Sequence, residues 1–230
     1  MPLVWNTNWD DDVVMKLGDP IEQLINDCWA VGPVRQYEIR LKLRGLLPNH
    51  QALSIQEIIN ITPRRCLNMM PGRGEIDDIR EVGDILKTQG TVLEEFCPFT
   101  QNLHTNPRRA VLGDRFIPTG VEVRNREFVD DFYTSLVSEL MGGPIAVRIP
   151  VYSSYFDLAY EDFVYNPTHG EIVNEWYSTD GHVLLATANG QLDGLNVLHC
   201  QDSQGLNWGH GGFITVAAHL VSDFFSIGVE

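Results

Sequence analysis

The hydrophobic pattern of the chain changes from helical to extended about halfway along, and this change constrains the fold more than any other feature. In the first half, apolar residues recur at steps of three to five, which predicts amphipathic helices. These helices are expected at residues 27–41, 54–59 and 75–88. After one more predicted helix, at 126–141, the pattern becomes one of short β-rich runs separated by Gly and Asn. The predicted strands are 145–149, 183–188, 195–201 and 213–218.

This order predicts an α+β chain with a helical first lobe, residues 1–118, and a mainly antiparallel β lobe, residues 119–230. We find no internal repeat or low-complexity tract, so the two lobes are expected to be halves of one domain that meet at a cleft. A chain of 230 residues is long enough to bury a sizeable core without a disulfide or a metal.

The charge balance excludes several classes of partner. Acidic side chains outnumber basic ones 31 to 16, which gives a formal net charge of −15 and repels phosphate backbones and anionic lipid surfaces. The N-terminal segment lacks an apolar run of the length that a signal peptide or a membrane helix requires. The four cysteines have no C-x-x-C spacing, which argues against structural zinc. We expect a monomer with no nucleic acid, membrane, metal or cofactor.

Cys28 and His182 are the residues whose types and positions point to nucleophilic chemistry. A free thiol has a pKa of about 8.5, so it needs a positive neighbour to become a thiolate at neutral pH. The predicted helix at 27–41 places Cys28 in a first turn, where the helix N-terminus supplies roughly half a positive charge. His182 begins a predicted strand, which would hold an imidazole rigidly. Taken singly, each residue is more typical of a packed core, whereas together they favour a thiol–imidazole pair.

Five sequence blocks carry a more specific signal than any single residue. They are Asp27-Cys-Trp-Ala-Val31, Leu53-Ser-Ile-Gln-Glu-Ile58, Gly143-Pro-Ile-Ala-Val147, Gly181-His-Val-Leu-Leu-Ala186, and Gln201-Asp-Ser-Gln-Gly205 followed by Asn207-Trp-Gly-His-Gly-Gly-Phe213. In the same order, these blocks resemble the nucleophile, Leu-Ser-Glu-Gln-x-Leu, Gly-Pro-Val-Ala-Val, catalytic-histidine and Asn-Ser-Trp-Gly segments of the papain-like cysteine peptidase family. A shared order across five blocks leaves little room for chance.

The resemblance implies a papain-like two-lobed fold, with a helical left lobe, a β-barrel-like right lobe and peptide bound in the cleft between them. It implies that Cys28 is the thiolate nucleophile and His182 its base. The family's histidine-orienting residue, usually an asparagine, falls on Asp202. A carboxylate at this position can orient the imidazole by accepting its Nδ1 proton.

The oxyanion-binding residue departs from the family pattern. The family has a glutamine six residues before the nucleophile, where this chain has Glu22. A carboxylate would repel an oxyanion, and the loss of one donor costs about 100- to 1,000-fold in rate. A one-residue deletion in the turn before Cys28 would bring the next residue, Gln23, into the site. We therefore predict that Gln23 completes the oxyanion hole with the backbone N–H of Cys28.

Three further departures bear on activity. Asp27 is expected to cap the helix, but its negative charge opposes formation of a thiolate. Pro33 bends the helix unless it still lies in the first turn. Gln204 replaces a tryptophan that, in the family, shields the hydrogen bond between the histidine and its partner from water.

Candidate substrate-binding residues come from the same resemblance. Gly72 and Gly74 correspond to a glycine-rich loop that pairs with the substrate backbone in the family, although an ordinary surface turn explains them equally well. Arg148 stands where the family has an apolar residue of the specificity pocket. The thiols of Cys66 and Cys97 are either free and buried or joined in a disulfide, depending on the redox compartment.

Three functions remain open. The first is a cysteine-type peptidase that hydrolyses peptide bonds through a thioester at Cys28, with peptide or protein substrates and a protein inhibitor as partners. The second is a catalytically weak or inactive relative that binds peptide or a protein in the cleft. A thiol transferase or amidase ranks third. The expected compartment is the cytoplasm if Met1 is native, and a vacuole, lysosome or the exterior if the chain is a trimmed mature form.

Overall fold

The computed structural model describes residues 3–68, 74–103, 111–159, 164–175 and 180–230. The α-helices in these ranges are α1 (Asp10–Leu17), α2 (Cys28–Leu43), α3 (Ile55–Ile61), α4 (Ile79–Gln89), α5 (Phe132–Leu140) and α6 (His169–Glu175). The strands are β1 (Val4–Asn8), β2 (Gly120–Asn125), β3 (Ile145–Val151), β4 (Val164–Tyr165), β5 (Asp180–Leu192), β6 (Leu195–Gln201), β7 (Phe213–Ala217) and β8 (Asp223–Gly228). The chain is therefore α+β, as predicted.

The described strands form one sheet in the order β2-β8-β3-β5-β6-β7-β4, and β1 also pairs with β5. All pairs are antiparallel except β4 with β7. The hairpin between β5 and β6 turns at Asp193 and Gly194, both with positive φ, a backbone that favours tight hairpins. Its register pairs Leu185 with Gln201, so the residue after β6, Asp202, returns close to the start of β5.

Helix α2 lies at the centre of the molecule, and its surroundings differ from the expectation of an amphipathic helix. Nearly every one of its side chains is buried, including polar ones. Gln36 shows how the polar groups are satisfied: its side chain accepts from Ala146 N at 2.8 Å and donates to Phe225 O at 3.0 Å. Because buried polar groups are tolerated when they are hydrogen-bonded, α2 can contact both lobes at once.

The buried apolar side chains of the described residues form two large cores and one small one. One large core joins α2, α3 and α4 with residues of the sheet such as Ala146 and Val183. The other large core packs α5 against the inner residues of β3, β5, β6 and β7. The first core therefore joins helices of the first half to the sheet, whereas the second packs α5 onto the sheet.

The ends of several elements differ from the sequence expectation. The helix predicted at 126–141 begins only at Phe132, and Phe128 is exposed. Ser54 caps α3 by accepting from Glu57 N at 2.9 Å, but the capping box is incomplete because the Glu57 carboxylate binds Arg115 instead. Strands β1, β2, β4 and β8 and helices α1 and α6 are additional to the predicted elements. No helix in the described ranges is both long and apolar enough to cross a bilayer.

Candidate active site

Helix α2 and strand β5 bring Cys28 and His182 together. Cys28 is the first residue of α2 and is 6% exposed, and His182 lies near the start of β5, opposite Ile149 of β3. The two elements approach closely at Gly32, where an added Cβ would lie 2.6 Å from the Val183 side chain. Gly32 lies one turn after Cys28, and Val183 is the residue after His182. The lack of a side chain at Gly32 therefore lets α2 and β5 approach closely beside the two candidate residues.

His182 lies between a carboxylate and the cleft that Cys28 also lines. Its Nε2 lies 2.8 Å from Asp202 Oδ1. Because Nε2 is engaged by Asp202, Nδ1 is the ring nitrogen left for the thiol. The expectation that Asp202 accepts the Nδ1 proton is therefore wrong as to the atom: the hairpin returns Asp202 to the Nε2 edge.

Electrostatics favour the imidazolium form of His182. Burial lowers the pKa of His182, but the charge of Cys28 as thiolate and the charge and hydrogen bond of Asp202 outweigh it, so the pKa lies well above its usual value. An opposite charge at short range stabilises the charged form more strongly in a buried site than in water. The arrangement therefore favours the charged form of His182.

Asp202 is fully hydrogen-bonded, and one of its partners is absent from the sequence expectation. Oδ1 accepts from His182 Nε2 and from the backbone N–H of Ser203 at 2.6 Å. Oδ2 accepts from the hydroxyl of Tyr155. Tyr155 lies in a short 3-10 helix, Ser153–Ala159, whose sequence carries no periodicity or motif that marks it as part of a site. Gln204 lines the cleft nearby.

Gln23 and Glu22 have different surroundings. Gln23 lines the cleft together with Cys28 and His182, and its Oε1 accepts from Ser203 Oγ at 2.6 Å. Because this bond uses the amide oxygen, the N–H groups of Gln23 are the ones available to donate to a bound group. Glu22 is exposed and lies against Gly205, where an added Cβ would be 3.1 Å from the Glu22 Cβ. A backbone hydrogen bond from Gln23 N to Ser203 O, at 2.8 Å, fixes the chain so that the Gln23 side chain lines the cleft while that of Glu22 is exposed.

Asp27 and Pro33 modify the first turns of α2. Asp27 occupies the N-cap position, but its side chain makes no capping bond, and neither carboxylate oxygen has a hydrogen-bond partner among the described residues. Burial raises the pKa of Asp27 to about 7, with its own backbone N–H opposing the shift. Pro33 lies beyond the first turn and withdraws a donor from the carbonyl of Trp29, yet α2 runs through it without a break.

The cleft beside Cys28 has a volume of about 400 Å³ and carries mixed charge. Its charged lining residues are Glu75, Asp77, Asp180 and Arg148. Arg148 Nη1 is 3.7 Å from Asp223 Oδ2, and its side chain is 39% exposed.

Gly74 and Gly72 are the other predicted substrate-binding residues. Gly74 is buried, and its carbonyl accepts from Trp29 Nε1 at 2.7 Å, so it is not among the residues that line the cleft. Gly72 lies outside the described residues. All four cysteines are free thiols, and the described part of the chain contains no cluster of His, Cys, Asp and Glu suited to a metal ion.

Sequence comparison and structural comparison give different results for this chain. No protein-family model matches it, and no curated protein matches it by sequence. Solved structures of cysteine proteases do match.

Three of these structures illustrate the likeness. Bromelain from Ananas comosus in complex with the E64 inhibitor has a TM-score of 0.68 at 18% identity, covering 97% of this chain and 98% of its own. A Carica candamarcensis cysteine protease in complex with E-64 has a TM-score of 0.68 at 19% identity, covering 99% of both chains. A procathepsin B from Trypanosoma congolense has a TM-score of 0.71 at 13% identity, covering 100% of this chain and 78% of its own. These likenesses confirm the papain-like fold.

Proposed function

We propose that this chain, which has the papain-like fold, is a cysteine peptidase that hydrolyses peptide bonds through a thioester at Cys28. The observation that carries the proposal is a buried His182 that is hydrogen-bonded to Asp202 and lines the same cleft as Cys28, the first residue of α2. Nucleophilic catalysis by a thiol requires a base beside it in a cleft, so that the thiol can become an anion and the imidazole a cation.

The reaction divides into two acyl-transfer steps. The Cys28 thiolate attacks the substrate carbonyl carbon, and the C–N bond breaks as the His182 imidazolium gives its proton to the leaving amine. Neutral His182 then takes a proton from water, whose oxygen attacks the thioester and releases the carboxylic acid. The proton on His182 and the thiolate are restored at the end. Asp202 stays ionised throughout and holds the ring in orientation.

Two donors are proposed for the oxyanion that forms in each step. One is the backbone N–H of Cys28, because the first amides of a helix have no intrahelical acceptor. The other is the side-chain amide of Gln23, whose orientation is supported by the bond from Ser203 Oγ to its Oε1. Donors held in advance of the reaction are worth more than donors that must reorganise.

The substrate is proposed to be a peptide or protein segment lying in the cleft, with Arg148 in reach of a substrate carboxylate. Because two of the solved neighbours are complexes with E-64, the same inhibitor class is a suitable probe of this chain. Wild-type protein should be labelled by E-64 on Cys28 and should cleave unstructured peptides, and Cys28→Ala should do neither. Labelling of another thiol with no peptide cleavage would contradict the proposal.

A second candidate is a protein that binds peptide in the cleft with little or no turnover. The unpartnered carboxyl of Asp27 favours it, because ionisation of that group places a negative charge next to the nucleophile. A binding module predicts that peptides protect Cys28 from alkylation without being cleaved. Cleavage of the protecting peptide would eliminate this candidate.

A further inference from the structure

We propose that Tyr155 is a positioning residue for the Cys28–His182 pair: its hydroxyl holds the Asp202 carboxylate toward His182, and its ring covers their hydrogen bond. The inference deepens the proposed peptidase function and rests on it. Tyr155 reaches the pair from the segment Ser153–Ala159, far in sequence from both partners.

The hydrogen bonds of Asp202 define the role of the hydroxyl. A carboxylate can rotate about its bond to Cβ unless both oxygens are engaged from different directions. Here Oδ2 accepts from Tyr155 while Oδ1 accepts from His182 and from Ser203 N. Without the Tyr155 hydroxyl, Oδ2 would be a buried acceptor with no partner, which is costly for a charged group. The carboxylate would then rotate or admit water, and either change loosens its contact with Nε2.

The ring of Tyr155 acts as a cover. Its centroid is 5.6 Å from that of His182, with the planes at 66°, and the residue is 1% exposed. Trp208 and Tyr165 contact the same ring at 5.5 Å and 5.2 Å, so it cannot swing away. Exclusion of water strengthens the interaction between the carboxylate and the imidazolium. Gln204, an amide, stands where the family pattern has an aromatic cover.

The protonation of Tyr155 suits a permanent donor. Burial, together with the negative charge of Asp202, raises the pKa of Tyr155 well above its usual value. The phenol therefore keeps its proton wherever the thiolate–imidazolium pair exists, and it donates to Asp202 without competing for the catalytic proton. This distinguishes Tyr155 from a group that takes part in the proton transfers.

The test compares two tyrosines that share one aromatic cluster. Tyr155→Phe removes only the donor to Asp202 and keeps the ring. Tyr165→Phe is the matched control, because Tyr165 Oη accepts from Tyr152 N at 2.8 Å and donates to Pro150 O at 3.1 Å, with no bond to Asp202 or His182. Both variants lose one buried hydroxyl from neighbouring rings.

The first readout is the rate at which iodoacetamide alkylates Cys28 as a function of pH. In Tyr155→Phe the acid-side midpoint should move up by about one pH unit, a ten-fold change in the ion-pair equilibrium. Peptide hydrolysis should show a similar fall in kcat with an unchanged KM. Tyr165→Phe should follow the wild type. A Tyr155→Phe profile that moves no further than that of Tyr165→Phe would overturn the inference.

The second readout does not depend on turnover. In ¹⁵N-histidine-labelled protein, exchange of the His182 Nε2 proton with water should be about ten-fold faster in Tyr155→Phe than in Tyr165→Phe, because the cover and the carboxylate are loosened. If Tyr155→Phe fails to fold, a fluorinated tyrosine at position 155 replaces it, since it keeps the shape and is a stronger donor. The Nε2 proton resonance should then move upfield, because stronger donation to Oδ2 leaves Oδ1 a weaker acceptor for the Nε2 proton. An unchanged exchange rate, or an unchanged resonance with the fluorinated residue, would overturn the inference.

The two readouts separate this inference from the proposed function. If wild-type Cys28 is unreactive and peptides are not cleaved, the peptidase proposal fails while the proton-exchange result still decides the role of Tyr155. If the wild type is active and the proton exchange is insensitive to Tyr155→Phe, only the positioning role fails.

Discussion

Asp202 and Asp27 are two buried carboxyl groups next to the same Cys28–His182 pair, and their surroundings are opposite. Asp202, 3% exposed, accepts three hydrogen bonds, from an imidazole, a phenol and a backbone amide. Asp27, 0% exposed, has no partner for either oxygen among the described residues. The difference teaches that burial alone does not decide what a carboxyl group does, since hydrogen-bond donors determine whether it is held as an anion or pushed toward its neutral form.

The largest expected effect tests whether the hydrogen-bonded groups around Asp202 include a catalytic donor, Gln23. Ser203 links those groups to Gln23, so Gln23→Ala should remove an oxyanion donor and lower kcat by about 100- to 1,000-fold. Glu22→Ala is the matched control, because Glu22 faces away from the cleft, and it should change kcat little. Steady-state kinetics with a fluorogenic peptide measure both. Equal losses in the two variants would contradict the assignment of Gln23.

The next effect concerns the stability cost of Asp27. Its folded-state pKa, about 7, lies above the usual value of 3.8, so the folded state holds a proton that the unfolded state has lost between these values. The free energy of unfolding therefore carries no cost from Asp27 below about pH 4. The cost grows as pH rises and is complete above about pH 7. The full shift corresponds to roughly 4 kcal/mol, and relaxation reduces it, so Asp27→Asn should gain about 2 kcal/mol at pH 8 relative to pH 4.

Urea denaturation of the wild type and Asp27→Asn across this pH range checks the prediction. The difference between the two curves isolates Asp27 from the other titrating groups. A difference that does not change with pH would show that the carboxyl is solvated in solution.

A smaller effect sharpens what the charge of Asp202 contributes. Asp202→Asn keeps an oxygen that can accept from His182 Nε2 but removes the negative charge. Because that charge helps raise the pKa of His182, the alkaline limb of kcat/KM should move down by about one pH unit. Histidine NMR titration gives the same quantity directly. An alkaline limb that stays in place would mean that Cys28 alone holds the imidazolium.

The smallest effect comes from a cleft residue that touches neither the thiol–imidazole pair nor its carboxylates. Arg148→Gln should raise KM for peptides with acidic side chains by about three- to five-fold, the value of a partly exposed ion pair. The alkylation rate of Cys28 should be unchanged. Comparison of an acidic peptide with its neutral amide analogue provides the control, and equal changes for both would exclude Arg148 as a carboxylate contact.

Sequence reasoning identified the elements that depend on local pattern. The predicted runs agree with the bounds of β6, Leu195–Gln201, and with the start of β7 at Phe213. A strand in a sheet leaves a pattern in consecutive residues, which the sequence shows directly. Strand β1 lies outside the predicted runs, since its pairing with β5 joins residues such as Val4 and Gln191, which no local pattern connects.

The candidate site shows the same division more sharply. Motif order brought Cys28, His182 and Asp202 forward as candidates, and in the structure Cys28 and His182 line one cleft while His182 is hydrogen-bonded to Asp202. Whether Gln23 or Glu22 faces the cleft depended on one residue of chain length in a turn, which spacing alone left open. Tyr155 gave no sequence signal, because its contact with Asp202 spans 47 residues and its own segment lacks a motif.

The sequence by itself determined which residues can do chemistry and the order in which helices and strands follow one another, because residue types and their periodicity are local properties. Only the tertiary structure decided which edge of the His182 ring meets Asp202. It also decided that Asp202 rather than Asp27 is hydrogen-bonded, and that Tyr155 packs against the His182 ring. These outcomes depend on packing between segments distant in the chain, where a hydrogen bond forms or fails within a few tenths of an ångström.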